Sequence, residues 1–134
     1  MVYEMLPRLL IAALLGGLVG LEREWAHRPA GLRTHTLVCL GACLFTIIAI
    51  DYFGSEASRI VGGIITGIGF LGAGTIIASQ TKRGIIGLTT AASIWVVAAI
   101  GMGVGMGYIF LSSVAAILVF IILQFKKAEK GLER

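Results

Sequence analysis

Side chains able to do chemistry are scarce in this 134-residue chain, and the densest set of them lies between residues 22 and 35. Glu22, Arg23 and Glu24 come first, and Arg33, Thr34 and His35 follow. An arginine fork beside a carboxylate can pair across two helix ends, or hold a lipid phosphate, a nucleotide or a partner's carboxylate. Interfacial anchoring with a structural salt bridge uses the same residue types, so spacing leaves both open. Asp51 and Glu56, with Arg59 close by, form a second set whose two carboxylates could hold a hydrated magnesium ion. Three solvated charges in a short loop is the plainer account. Thr89, Thr90 and Ser93 supply hydroxyls, and Thr89 and Ser93 share a helical face. They are expected to bond back to their own helix or to the glycine-rich third one as structural glue.

Catalytic signatures are lacking. The sequence has no zinc-ligand spacing, nucleophile elbow, phosphate loop or dinucleotide fingerprint, and its only histidines are His27 and His35. The expectation is a non-enzymatic protein without a cofactor. Cys39 and Cys43 lie four apart within one apolar run and are expected to be small buried residues, not a disulfide or metal pair.

The elements that must position these groups follow from composition. Of the residues 57% are apolar and 13% charged, which excludes a soluble domain and a disordered tail. With a mean hydropathy of +0.97, the chain has too few polar side chains to cover an outer surface, so its solvent must be largely lipid. A membrane span needs about 20 apolar residues at a rise of about 1.5 Å each. Five runs qualify: Met5 to Leu21, Thr36 to Phe53, Ile60 to Ser79, Leu88 to Met106 and Tyr108 to Phe125. The fold expected is an all-α integral membrane protein, with one five-helix domain over 1–125 and a short basic tail over 126–134.

Charge sets the orientation. Arg23, Arg28 and Arg33 in the first connection, Lys82 and Arg83 in the third, and Lys126, Lys127, Lys130 and Arg134 in the tail share one side. Arg8 and Arg59 alone fall on the other, so the N-terminus is expected outside and the C-terminus in the cytoplasm. These bases therefore serve topology, and nucleic acid is not an expected partner. The asymmetry argues against dual topology, so any homo-oligomer, a dimer for instance, should be parallel. The first run lacks the basic start of a signal peptide and is expected to remain as a helix. Tyr3, Trp25, Tyr52, Phe53, Tyr108 and Phe125 fall near span ends, where amphipathic rings prefer to lie, whereas Trp95 lies deep in the fourth span and reads as packing.

The 19 glycines fall mostly inside the apolar runs, where small residues mark close helix contact. Ala12, Gly16 and Gly20 form a fourfold stripe on the first helix. On the third, Gly63, Gly67 and Gly74 lie on one side, and Gly62, Gly69 and Gly72 help to open the other, at about 100° per residue. This predicts a central third helix sandwiched between two others; a broken helix whose freed carbonyls bind an ion is the functional alternative. Within the expected spans, only Arg8 and Asp51 carry charge, each near the outer end.

The chain resembles the membrane domain of the MgtC/SapB family. The resemblance rests on Gly20-Leu21-Glu22-Arg23-Glu24, Ala30-Gly31-Leu32-Arg33-Thr34-His35, the run from Gly67 to Gly74, Gly87-Leu88-Thr89-Thr90-Ala91-Ala92, and the stretch from Trp95 to Gly101. It implies a multi-pass protein of the bacterial inner membrane, linked to growth in low magnesium and, in pathogens, to survival inside host cells. It further implies a small regulator acting on other membrane machinery, with ATP synthase and magnesium transporters the partners proposed for some members. A small magnesium or proton channel acting as a dimer is the alternative. Two departures stand out: only Lys126 to Arg134 follow the last apolar run where many relatives carry a cytoplasmic domain, and Gly63 stands where relatives often place a glutamine.

Overall fold

A computed structural model describes residues 2–78 and 87–132, with side chains placed for 3–78 and 87–125. Lys82 and Arg83, and the side chains of the basic tail, lie outside the described residues. The described chain forms five α-helices, α1 (Val2–Trp25), α2 (Leu32–Phe53), α3 (Ala57–Ala78), α4 (Leu88–Gly105) and α5 (Ile109–Leu132), with a single 3-10 turn at Gly54–Glu56. In hydrocarbon each backbone polar group must find its partner within the segment, so long apolar runs resolve into helices. The stretches Tyr3–Trp25, Leu32–Ala78 and Leu88–Gly105 are long and apolar enough to cross a membrane, and Ile109–Phe125 is a shorter apolar helix.

Two helices outrun their apolar cores. Glu22, Arg23 and Glu24 continue α1 by another turn, and α5 carries its backbone through the basic tail to Leu132. Apolar run length locates a span and is silent about a helix that emerges from it. The ends of α1 and α4 are closed in the same way. At the end of α4, Gly107 takes a left-handed φ of 91°, and the Gly107 and Tyr108 amides donate to Val104 and Gly103. At the end of α1, His27 takes φ 54°, and the His27 and Arg28 amides donate to Glu24 and Arg23. Both are Schellman closures, but the usual glycine is replaced by a histidine at the second, at a cost of about 1–2 kcal/mol.

The centre of the bundle is α4, which packs against all four other helices, whereas among the described helices α3 touches only α2 and α4. The expected central position of α3 is thereby corrected. Its only buried residue is Gly72, while α4 buries Thr90, Ser93, Ile94, Val97, Ala98, Ile100, Gly101, Val104 and Gly105. The physical reason lies in which glycines meet backbone. A Cβ at Gly105 would fall 2.8 Å from the Cys43 carbonyl and 2.9 Å from Thr46 Cβ, and Gly101 faces the Cys39 carbonyl in the same manner. These two positions seat α4 on α2. The core around them comprises Ala12, Val19, Ile47, Val97, Ile100, Val104 and Ala116 with the free thiols Cys39 and Cys43.

Around this small-residue core the outer surface is apolar. Leu10, Leu14, Phe45, Phe70, Phe110 and Leu111 are exposed. Trp95, expected as packing, is exposed too, because the inner face of α4 is taken up by residues small enough to let the helices touch. A continuous apolar exterior fits lipid as solvent. At the end of the bundle where α4 stops, Arg8 reaches across from α1 and donates through Nη1 to the Gly105 carbonyl at 3.0 Å. A cation there satisfies an orphan carbonyl and complements the helix dipole.

Candidate functional site, a buried polar cluster at one end of the bundle

The end of α1, the start of α2 and the start of α4 meet at one pole of the molecule. Gly20 permits the meeting, since a Cβ there would lie 2.8 Å from Leu32 Cα and 2.9 Å from His35 Cβ. One turn earlier, Gly16 does the same, with a Cβ falling 2.5 Å from Cys39 Cβ. The α1 stripe thus presses directly on α2.

Three ionisable side chains are almost wholly withdrawn from solvent here: Glu22 at 2% exposure, Arg23 at 3% and His35 at 0%. Glu22 pairs with its sequence neighbour, Arg23 Nε donating to Oε2 at 2.6 Å. The carboxylate that crosses between helices is instead Glu24, whose Oε2 accepts the Leu32 amide at 2.9 Å and so caps α2 at its N-terminus. A negative group at that position is favoured by the dipole of α2. Arg33 is exposed, at the rim of an open polar cleft of about 420 Å³ shared with Glu24, His27, Arg28, Pro29, Gly31 and Thr34. Arg28 lines this cleft, and its Nε is buried and unpaired among the described residues.

His35 ties the helices together. Its Nδ1 lies 2.9 Å from the Gly31 carbonyl and its Nε2 lies 2.8 Å from Ser93 Oγ on α4. Ser93 also donates to the Thr90 carbonyl at 2.7 Å. The partner of Ser93 is therefore α2, not the glycine-rich α3, while Thr89 is exposed. At the opposite pole Asp51 is exposed and Glu56 accepts from Arg59 at 3.2 Å. Among the described residues no three His, Cys, Asp or Glu side chains gather as a metal cage would require.

The glycines divide into two classes. Gly16 and Gly20 on α1 and Gly101 and Gly105 on α4 are filled by neighbouring helices. On α3, Gly62, Gly63, Gly67, Gly69 and Gly74 have nothing within 4 Å of an added Cβ among the described residues, and Gly72 makes ordinary contact with Ala91 at 3.6 Å. Gly63 and Gly67 instead help to line an apolar groove of about 440 Å³ between α2 and α3.

A family model described as the MgtC family matches residues 9–131. The chain belongs to the MgtC family. It is 40% identical over 133 residues to YhiD of Escherichia coli (strain K12), whose name provisionally assigns it to magnesium transport; the match covers 92% of this chain and 61% of YhiD. SrpB of Synechococcus elongatus is 41% identical over 137 residues, covering 92% of this chain and 75% of SrpB. MgtC of Brucella abortus is 45% identical over 112 residues, covering 83% of this chain and 46% of MgtC. The chain thus spans less than two thirds of YhiD and less than half of that MgtC. No solved structure matches it.

In this MgtC-family chain, three of the five stretches that carry the family resemblance converge on the buried polar pole: Gly20 to Glu24, Ala30 to His35 and Gly87 to Ala92. Sequence reasoning found Glu22, Glu24, Arg33, Thr34 and His35 as a set but missed their division of labour. It also missed Gly105 and the capping role of Arg8. For the glycine, the fourfold spacing of Gly101 and Gly105 was the available signal.

Proposed function

We propose that this chain is a non-enzymatic, five-span membrane protein of the bacterial inner membrane. It would regulate other membrane machinery in magnesium homeostasis through helix–helix contacts made by α3, with a second copy in a parallel dimer or with a helix of the regulated protein. The N-terminus lies outside and the buried polar pole faces the cytoplasm, as the Lys and Arg distribution favours.

The observation that supports this reading is the open glycine face of α3. Glycine in a helix interior is less favourable than alanine by about 1 kcal/mol, a cost that close backbone approach can offset. In α1 and α4 the approach is made inside the protomer; at Gly62, Gly63, Gly67, Gly69 and Gly74 it is not. A helix carrying so many unfilled glycines is suited to a partner outside the chain. The test is site-directed crosslinking in native membranes of Gly67→Leu and Gly74→Leu. Loss of crosslinks with the fold intact is expected, and unchanged crosslinks would reject the reading.

A cation channel or transporter acting as a dimer is the second reading, favoured by the name of YhiD. Flux of magnesium and protons into liposomes separates the two. Selective flux lost on Asp51→Asn would support transport, and its absence together with Gly67-dependent association would support regulation.

A further inference from the structure

We infer that His35 is a proton-binding site, with the Ser93 hydroxyl as its moving part. The inference rests on counting hydrogens and is independent of the partner contact proposed for α3. Three short links run in series from α2 to α4: the Gly31 carbonyl to His35 Nδ1 at 2.9 Å, His35 Nε2 to Ser93 Oγ at 2.8 Å, and Ser93 Oγ to the Thr90 carbonyl at 2.7 Å. Both ends are carbonyls, which only accept. Each link therefore needs a hydrogen from the imidazole or the hydroxyl.

A neutral imidazole carries one N–H and serine one O–H, which makes two hydrogens for three links. One link fails whichever tautomer is drawn. The imidazolium carries two, and with it every link is filled: Nδ1–H to Gly31, Nε2–H to Ser93, and Ser93 O–H to Thr90. The heavy-atom geometry is thus complete only for the protonated ring. When the proton leaves, the ring is held at Nδ1 by a fixed carbonyl, whereas a hydroxyl turns freely. Ser93 then rotates its hydrogen from Thr90 to Nε2, so the α2–α4 junction reverses its hydrogen-bond direction without separating.

The surroundings set opposing influences on a titrating ring. Burial is the largest influence and opposes the added charge, the Gly31 carbonyl favours it, and from α1 Arg23 and Glu22 face the ring as a buried pair, the guanidinium opposing the charge and the carboxylate favouring it. From α4 it meets Ser93, and that helix carries no ionisable side chain. From α3 the one charge is Arg59, at the other pole, and on α2 itself Arg33 is exposed. His35 is therefore the single histidine buried within the helices, and histidine is the side chain whose charge changes most readily between about pH 5 and 8.

The experiment is nitrogen-15 NMR of histidine-labelled protein in lipid bilayers, titrated over that range. The expected result is a neutral Nδ1–H tautomer at high pH that converts to imidazolium while the helical fold persists. A ring that stays neutral until unfolding, or that carries its hydrogen on Nε2 at high pH, would overturn the proposal. Ser93→Ala removes the acceptor of a charge-assisted bond, so His35 should bind its proton about fivefold to tenfold more weakly, with Ser93→Thr near wild type. Unaltered proton affinity in Ser93→Ala would also overturn it. Should Ser93→Ala fail to fold, the wild-type titration decides alone.

Discussion

Two ion pairs of the same chemistry sit at opposite poles of this bundle and should behave oppositely. Arg23 and Glu22 have side chains 4% and 3% exposed, whereas Arg59 and Glu56 are 84% and 60% exposed. Breaking a buried pair strands a charge without water, at a cost of about 3–5 kcal/mol, while exposed pairs contribute about 0–1 kcal/mol. Arg23→Met should accordingly lower stability to denaturation in mild detergent by about 3–5 kcal/mol. Adding Glu22→Gln should restore most of it, since no uncompensated carboxylate then remains. Arg59→Met should change stability by less than about 1 kcal/mol. Equal losses at the two sites would mean that the polar pole is wet. The sequence made this cluster visible as a set of residue types, but not the pairing within it. Glu22 pairs with its neighbour Arg23 where both are buried, and His35 meets Ser93 across 58 positions. The first pair is adjacent but is singled out by burial, and the second is long-range, so spacing along the chain could express neither choice.

At the scale of helices, the same residue type does different work according to what stands opposite. Gly20→Val and Gly101→Val should each destabilise the isolated protomer by about 1–3 kcal/mol or more, because backbone or Cβ atoms already occupy the space. Gly63→Val and Gly67→Val should leave protomer stability within about 0.5 kcal/mol, since no described residue lies within 4 Å of the added Cβ. Thermal unfolding in detergent at dilutions that keep the chain monomeric checks both. A large loss at Gly67 under those conditions would show that α3 is filled from within. The apolar runs placed the cores of all five helices within a few residues, as lipid makes run length the dominant signal. Which glycine face has a neighbour was not legible: about 100° per residue orients Gly67 and Gly74 relative to each other, not relative to α4. The prediction of a central α3 failed on that distinction.

For the whole molecule, the polar cluster acquires a direction only through the membrane. Buried carboxylate, guanidinium and imidazole all lie at the pole where α1 ends and α2 and α4 begin, and the opposite pole holds the exposed Asp51, Glu56 and Arg59 together with the Arg8 cap. In the proposed orientation the first pole faces the cytoplasm, where anionic headgroups and soluble solutes would meet it. The native thiols favour a direct check, because Cys39 and Cys43 are both fully buried and should not react with a bulky, membrane-impermeant maleimide. Ser55→Cys, in the turn between α2 and α3, should be labelled on intact spheroplasts. Thr34→Cys or Arg33→Cys, at the polar cleft, should label only after permeabilisation. The reverse pattern would place the His35 site on the outside, where it would sense the pH and ions of the surroundings instead of the cell interior. Labelling of both positions in intact cells would indicate dual topology, and a parallel α3–α3 dimer would then lose its basis.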